Sequence, residues 1–227
     1  MYKIQDKNAE LKNLLENAVH FGHYTNKWNP KMKPFIHGTR QRVHILDLHK
    51  TIDFMESTFS YIQDLRKGKK TILLVSTKQQ SIPLIESLAQ NTDLPYVTNK
   101  WIPGLLTNYK TIKSRIDELK RLKQMRDNGE LSKYTKKEQS KLTKTIAKLE
   151  NNLGGVESMT RVPDAIFVLD SVRDEIAVKE ARVLGIPVIG FLDTNSNPDV
   201  IDYPIPANDD AIKSLRYMLS RMEEVLK

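Results

Sequence analysis

The chain has 227 residues, 39% of them hydrophobic, which is enough for one sizeable core or for one domain with an appendage. Its 36 Lys and Arg against 28 Asp and Glu give a net charge of +8, a balance that favours a polyanionic partner. The absence of Cys excludes a disulfide framework, thiolate metal sites and a cysteine nucleophile. No apolar run reaches membrane-spanning length, and the mixed N-terminal stretch fits neither a signal nor a transit peptide, so a soluble protein, made where it works or already trimmed, is expected.

In chain order, Leu11, Leu14, Leu15 and Ala18 predict a short amphipathic helix over residues 8–17. Residues 19–42 then sustain neither a helical nor a strand period. They concentrate His20, His23, His37, Trp28, Pro30, Pro34 and well-spaced bases, and read as an ordered loop that presents groups to a partner. The two prolines restrict how that loop can bend and so reduce the entropy lost on docking. Residues 43–48 alternate as a strand. Ile52, Met55, Phe59, Ile62 and Leu65 place a helix over residues 51–65, with Gly68 as its C′ residue. The continuous apolar run of residues 71–75 suits a strand covered on both faces, and hence a buried parallel sheet. Pro83 is compatible with the next helix only in its first turn, behind a Ser81 cap. Residues 94–97 form a weak strand, and residues 99–108 a second aromatic, amide and basic loop.

Ile112, Ile116, Leu119 and Leu122 make one apolar seam; Leu142, Ile146, Leu149 and Leu153 make another. Asp127-Asn128-Gly129 breaks the first helix, and Thr135 with Glu138 has the capping-box spacing that starts the second. An antiparallel coiled-coil hairpin over residues 111–153 follows, ended by Gly154-Gly155 and carrying 12 Lys and Arg against 6 Asp and Glu. The α/β pattern then resumes: apolar runs at 165–169 and 187–192, a helix over 174–184 stopped by Gly185, and a final helix behind Asn208-Asp209-Asp210 with Ile212, Leu215, Leu219, Met222 and Leu226 on one face. The expected architecture is a doubly wound, mainly parallel sheet in a flavodoxin-like or Rossmann-like three-layer sandwich. Its α/β domain spans residues 1–110 and 154–227, and the hairpin is inserted into it.

Such a sheet invites an enzyme reading, with Ser76, Thr77, Asp170 and Asp193 at strand ends. Yet no glycine-rich phosphate loop follows any strand, and no Ser lies in a nucleophile elbow. Asp170 and Asp193 suit Mg²⁺ less well than they suit capping and turn formation. The five His match no closed four-ligand zinc spacing. No catalytic residue, metal ligand or cofactor is therefore predicted, and a nucleotide- or metal-dependent enzyme stands as the alternative. Nucleic-acid binding uses more of the sequence. Lys27, Lys31, Lys33, Arg40 and Arg42 surround Trp28 and Phe35, while Lys100, Lys110, Lys113 and Arg115 surround Trp101 and Tyr109. Phosphate-neutralising cations, amides and stacking rings form the recurrent RNA-binding set. The plainer reading makes each Lys a solvated charge and each Trp a core or hinge plug.

Eight blocks occur in order: Val19-His20-Phe21-Gly22-His23; Trp28-Asn29-Pro30-Lys31-Met32-Lys33; Thr107-Asn108 after Trp101; Leu153-Gly154-Gly155; Pro163-Asp164; Gly185-Ile186-Pro187; Asp193-Thr194-Asn195; and residues 205–212. Together they resemble the family of the small-subunit ribosomal protein S two, in its bacterial and organellar form. The resemblance implies a non-enzymatic protein on the ribosome, between the head and body of the small subunit. It would touch small-subunit rRNA and other small-subunit proteins, and help to dock the large mRNA-binding protein S one. By position, His23 to Lys33, Lys100 to Asn108 and the hairpin are the implied contact regions. Pro103 departs from the family's W-x-G-G pattern and stiffens the second loop, and Ser196 and Asn197 replace the usual Cys-Asp. The spelling of residues 205–212 and the short C-terminus look plastid-like, which favours the chloroplast stroma over a bacterial cytoplasm.

Overall fold

The computed structural model describes residues 2–227. Asp6 caps α1 (Lys7–Glu16), its carboxylate accepting the amides of Asn8 and Ala9 at 2.9 and 3.0 Å. Of the expected apolar face only Leu14 is fully buried. Leu15 is half exposed, and Ala18 lies beyond the helix at φ +60°.

Residues 19–42 are not a loop. Strand β1 (Phe21–Tyr24), a 3₁₀ turn (Pro30–Phe35), β2 (Ile36–Arg40) and β3 (Val43–Leu46) form an antiparallel sheet in the order β1-β3-β2. Two register shifts interrupt strands of four or five residues, so their alternation is too short to show in the sequence. Gln41 and Arg42 join β2 to β3 as a two-residue connection with both φ positive, at +51° and +65°. That geometry twists with the strands but strains residues that carry a Cβ.

Asp47 caps α2 (Leu48–Lys67), which begins earlier than its apolar period because β3 ends at Leu46. Gly68 keeps φ −76°, and Lys69 takes the left-handed position expected of that glycine. Strand β4 (Ile72–Val75) is followed by α3 (Ile82–Thr92), with Pro83 in its first turn. The Ser81 hydroxyl does not cap that helix; it bonds to Ser76 Oγ and the Lys78 carbonyl. After the two-residue β5 (Tyr96–Val97) come α4 (Tyr109–Asp127) and α5 (Lys136–Leu153), the latter with the Thr135–Glu138 capping box. Then follow β6 (Ala165–Val168), α6 (Glu175–Val183) and β7 (Val188–Leu192). Strand β8 (Tyr203–Pro206) has no counterpart among the strands expected from the sequence. Pro204 and Pro206 hide it, and they are tolerated because β8 is an edge strand. Helix α7 (Ile212–Leu226) closes the chain. Before it, Asn208 Oδ1 accepts the amides of Asp210 and Ala211 in a turn; Asp209, expected in the cap, is instead buried.

The five parallel strands lie in the order β5-β4-β6-β7-β8, which counted along the sheet is 2-1-3-4-5, the flavodoxin-like arrangement. Every residue of β4, β6 and β7 is buried. Alternate side chains feed two cores. Leu74, Phe167, Ile189 and Phe191 pack with α1, α2, α3 and α7 on one face. Leu73, Val75, Ile166, Val168 and Leu192 pack with α6 on the other, and the same cluster continues through Trp101 into Ile112, Ile116, Leu119, Leu122 and Ile146 of α4 and α5. At the junction, a Cβ on Gly155 would collide with the Tyr96 carbonyl oxygen. Gly155→Ala is therefore expected to cost about 1 to 3 kcal/mol. This should appear in thermal denaturation followed by circular dichroism as a loss of about 2 to 4 °C in Tm per kcal/mol; an unchanged Tm would mean that the backbone there yields freely.

Candidate nucleic-acid interface

Glu180 organises the second loop. It falls on the buried side of α6 with Ala177 and Ala181 and is itself only 8% exposed. Its carboxylate accepts the Trp101 indole N–H at 3.0 Å and the Gly104 amide at 2.7 Å on Oε1. On Oε2 it accepts the amides of Leu106 and Thr107 at 3.1 Å each and the Thr107 hydroxyl at 2.9 Å. Burial works against the charge, but these donors outweigh it and hold the carboxyl below its ordinary value. Trp101 is consequently a core residue, 5% exposed, and not a ring presented for stacking. Pro103 is exposed at the bend, and Gly104 takes φ +88°. Lys100, outside this anchor, flanks an open depression with Thr77, Asn99 and Arg173.

The first segment is fixed by a different device. Gly22 lets β1 lie directly on the turn after β7: a Cβ there would meet Thr194 Cγ2 at 2.5 Å and Oγ1 at 2.7 Å. The His23 amide donates to Thr194 Oγ1 and the Asn29 amide to the Thr194 carbonyl, both at 2.8 Å. The His23 ring points inward, with Nδ1 3.1 Å from Asp193 Oδ1 and Nε2 3.4 Å from Asp210 Oδ2. Interaction with Asp193 raises the His23 pKa despite burial. His23 thus belongs to an internal charged cluster, not to the outward face expected for it. Trp28 rests on buried His44, with ring centroids 5.0 Å apart, and Lys31 pairs with Asp199.

The same cluster occupies the crevice in which flavodoxin-like sheets receive ligands. Lys78, after β4, reaches Asp209 Oδ1 at 2.9 Å, Asp210 Oδ1 at 2.6 Å and Asp170 Oδ2 at 3.5 Å. Burial opposes the Lys78 charge, but Asp209 and Asp210 outweigh it and hold the ammonium well above its ordinary range. Burial, with Asp193 and Asp170 adjacent, pushes the Asp209 carboxyl up to about 8. A side-chain network fills the space that a nucleotide enzyme would leave for phosphate.

Outside these anchors lie the exposed cations. Lys27, Lys33, Arg40, Arg42, Lys100, Lys110 and Lys113 are exposed and in no ion pair among the described residues, and Arg115 pairs loosely with Glu118 at 3.6 Å. Asn108 is exposed, and its side chain accepts from the Thr111 hydroxyl at 2.9 Å. On the hairpin, Lys123 and Arg126 pair with Glu150, and Lys123 also with Glu157. Lys120, Arg121, Lys133, Lys136, Lys137, Lys141, Lys144 and Lys148 are exposed without such partners among the described residues. Sequence reasoning missed Glu180, Lys78, Asp209 and Thr194 as organisers. An acid in register with Ala177 and Ala181 was the one signal available, since it marks a charge on a buried helix face.

Glu180→Gln would turn an amide N–H₂ towards groups that all donate, at an expected cost of about 1 to 3 kcal/mol. In a Trp28→Phe background, Trp101 fluorescence should shift to the red as the loop loosens. Because the folded Glu180 pKa lies below its ordinary 4.5, its contribution is complete above that pH and lost as pH falls through the folded value. Acid titration of stability should show this increment in the wild type and not in the variant; identical acid limbs would remove Glu180 from this role.

Comparison with known proteins agrees with this geometry. The family described as Ribosomal protein S2 matches residues 14–227. The chain is 48% identical to the small ribosomal subunit protein uS2 of a Nitratiruptor species, with 95% of this chain and 81% of that protein aligned. It is 47% identical to uS2 of Campylobacter hominis over the same shares, and 45% identical to uS2 of Petrotoga mobilis over 96% of this chain and 76% of that protein. With that match spanning both the parallel sheet and the basic hairpin, the chain belongs to the Ribosomal protein S2 family.

Proposed function

We propose that the protein is a structural, non-catalytic constituent of the small ribosomal subunit, where it supports translation by binding small-subunit rRNA. The observation that carries this reading is the sorting of charge on the hairpin. Cations on the seam side are paired with Glu150 and Glu157, whereas the outward ones other than Arg115, which meets Glu118, have no partner among the described residues. Unpaired cations repel one another on a free protein and are stabilised by a polyanion. Residues 111–153 act as an arm on the α/β domain of residues 1–110 and 154–227. Lys27, Lys33, Arg40, Arg42, Lys100, Lys110 and Lys113 extend the basic surface onto that domain. Asn108 adds an amide, and half-buried Trp28 acts chiefly as the anchor that holds its segment in shape.

Other small-subunit proteins are the second class of partner. Val172, Ile176, Val183 and Leu184, on and beside α6, are 44 to 77% exposed and supply an apolar surface for a protein neighbour. Docking of the mRNA-binding protein S one rests on the family resemblance alone. The relatives named above are bacterial, so the assembly is a bacterial-type small subunit. The plastid assignment has only the spelling of residues 205–212 and the short C-terminus behind it.

The protein should co-sediment with small subunits in moderate salt and be released by nuclease; a free protein indifferent to nuclease would contradict the reading. Replacing Lys33, Lys100 and Lys113 by Gln should weaken rRNA association without lowering Tm. It should also reduce the log–log salt slope by about 0.7 to 0.9 for each true phosphate contact. A slope equal to that of the wild type would make these three ordinary surface charges. Lys31 is a poorer probe, because its removal also breaks the pair with Asp199.

A further inference from the structure

We infer that the groove between α6 and the turn after β7 captures the C-terminal residue of a neighbouring small-subunit protein, taking its carboxylate on hydroxyl and amide donors and its side chain on a valine wall. This rests on the reading above that such proteins are partners. The groove holds about 340 Å³ at the carboxyl ends of β6 and β7, where open parallel sheets receive ligands. That is at the small end for a ligand pocket. It suits one terminal residue better than a helix about 10 to 12 Å across.

An orphaned hydroxyl points to an occupant. Ser171 lines the groove and is 5% exposed, yet its Oγ has no hydrogen-bond partner among the described residues. The turn that carries it is fixed, because Asp170 Oδ1 accepts the amides of Val172 and Arg173 at 3.0 and 2.9 Å. Buried polar atoms without a partner are rare in folded proteins, and one in the wall of a groove marks the place of a missing group. Two lining amides add donors of fixed polarity. Asn29 Oδ1 accepts the Lys31 amide at 3.0 Å and Asn197 Oδ1 accepts the Asp199 amide at 3.1 Å. Their N–H₂ groups are what remains, and neither donates to another described residue.

Charge and shape narrow the ligand. Exposed Lys179 and Arg182 stand on the rim, and Arg182 donates from Nη1 to the Asp199 carbonyl at 3.0 Å while the rest of its fork stays free. Glu175, the one acid among the lining residues, is already engaged by Lys179 at 2.6 Å. Several donors with a guanidinium and no free acid select a carboxylate. Val172, Val178 and Val200 form the apolar wall, so that carboxylate must sit beside an apolar side chain. The end of a protein chain with an aliphatic last residue has this chemistry, and capture of a C-terminal carboxylate is a recurring mode of recognition. Val172 also belongs to the exposed apolar surface assigned above to a protein neighbour, and this continuity favours a chain terminus over a free small acid.

The test follows the full-length chain by ¹H–¹⁵N NMR as N-acetylglycyl-leucine, or its C-terminal amide, is added to millimolar concentration. The acid should shift the side-chain N–H₂ signals of Asn29 and Asn197 saturably. The amide should bind about tenfold more weakly, the value of one charge-assisted hydrogen bond. Ser171→Ala should lower affinity about two- to tenfold and leave Tm unchanged or higher, because a hydroxyl without a partner stabilises nothing in the free protein. A serine with a purely structural role would lower Tm and leave affinity unchanged, and that result would overturn the proposal. Val172→Asp, at an exposed position, should abolish binding yet keep the wild-type salt slope of rRNA association, which separates failure of this site from failure of the rRNA-binding reading. In assembled small subunits, p-benzoylphenylalanine in place of Glu175 on the rim should crosslink to the C-terminal peptide of another subunit protein. No saturable shift in the wild type, equal affinity for acid and amide, or crosslinks confined to RNA or to internal segments would each overturn the proposal.

Discussion

Buried carboxylates that face one another must be neutralised or protonated, and this constraint governs the end of the sheet from which the exposed segments project. Parallel strands place all their carboxyl ends on one side, so Asp170, Asp193 and Asp209, which are far apart in the chain, converge there. Lys78 answers part of that charge from the end of β4, and His23 enters from the small antiparallel sheet. The register of β1 against the larger sheet follows, because Gly22 fits over Thr194 only when His23 meets Asp193. An electrostatic requirement inside the fold thereby sets the position of the basic segment outside it.

Glu180 plays the matching part for the second segment. A single carboxylate gathers five donors from residues 101–107 and turns Trp101 into the core, which leaves Lys100 and Lys110 at the flanks of a fixed bend. In the second segment a buried acid holds the backbone and in the first Thr194 does, and in both the cations are what remains outside. The hairpin obeys the same division: its apolar seam belongs to one of the two sheet-face cores, its inner bases pair with Glu150 and Glu157, and its outer bases, Arg115 beside Glu118 apart, are unopposed among the described residues. Rigid internal anchoring with unpaired charge outside is a sound design for binding a polyanion, because little ordering remains to be done on contact.

The helices and buried strands were legible in the sequence where their periods were long. The runs at β4, β6 and β7, the seams of α4 and α5, the Thr135–Glu138 box and the late start of α3, with Pro83 in its first turn, all carry local signals that no long-range contact overrides. The small antiparallel sheet was not legible, because its strands are short and bulged and its connection uses Gln41 and Arg42 at positive φ instead of glycine. Pro204 and Pro206 concealed β8, since only its place at the sheet edge makes them acceptable. Trp101 and His23 were chosen by residue type as outward-facing groups. Whether such a ring faces in or out depends on a partner 79 residues away in one case and 170 in the other.

By itself the sequence determined the doubly wound architecture, the basic helical hairpin and an excess of positive charge that favours a polyanionic partner, because hydrophobic period and net charge are sums over neighbouring residues. Only the tertiary structure decided which aromatics are anchors, which lysines are unpaired, and that His23 joins Asp193, Asp209 and Asp210 in one cluster at the carboxyl end of the sheet. Those are properties of pairs far apart in the chain, and they exist only once the parallel sheet has brought its strand ends together.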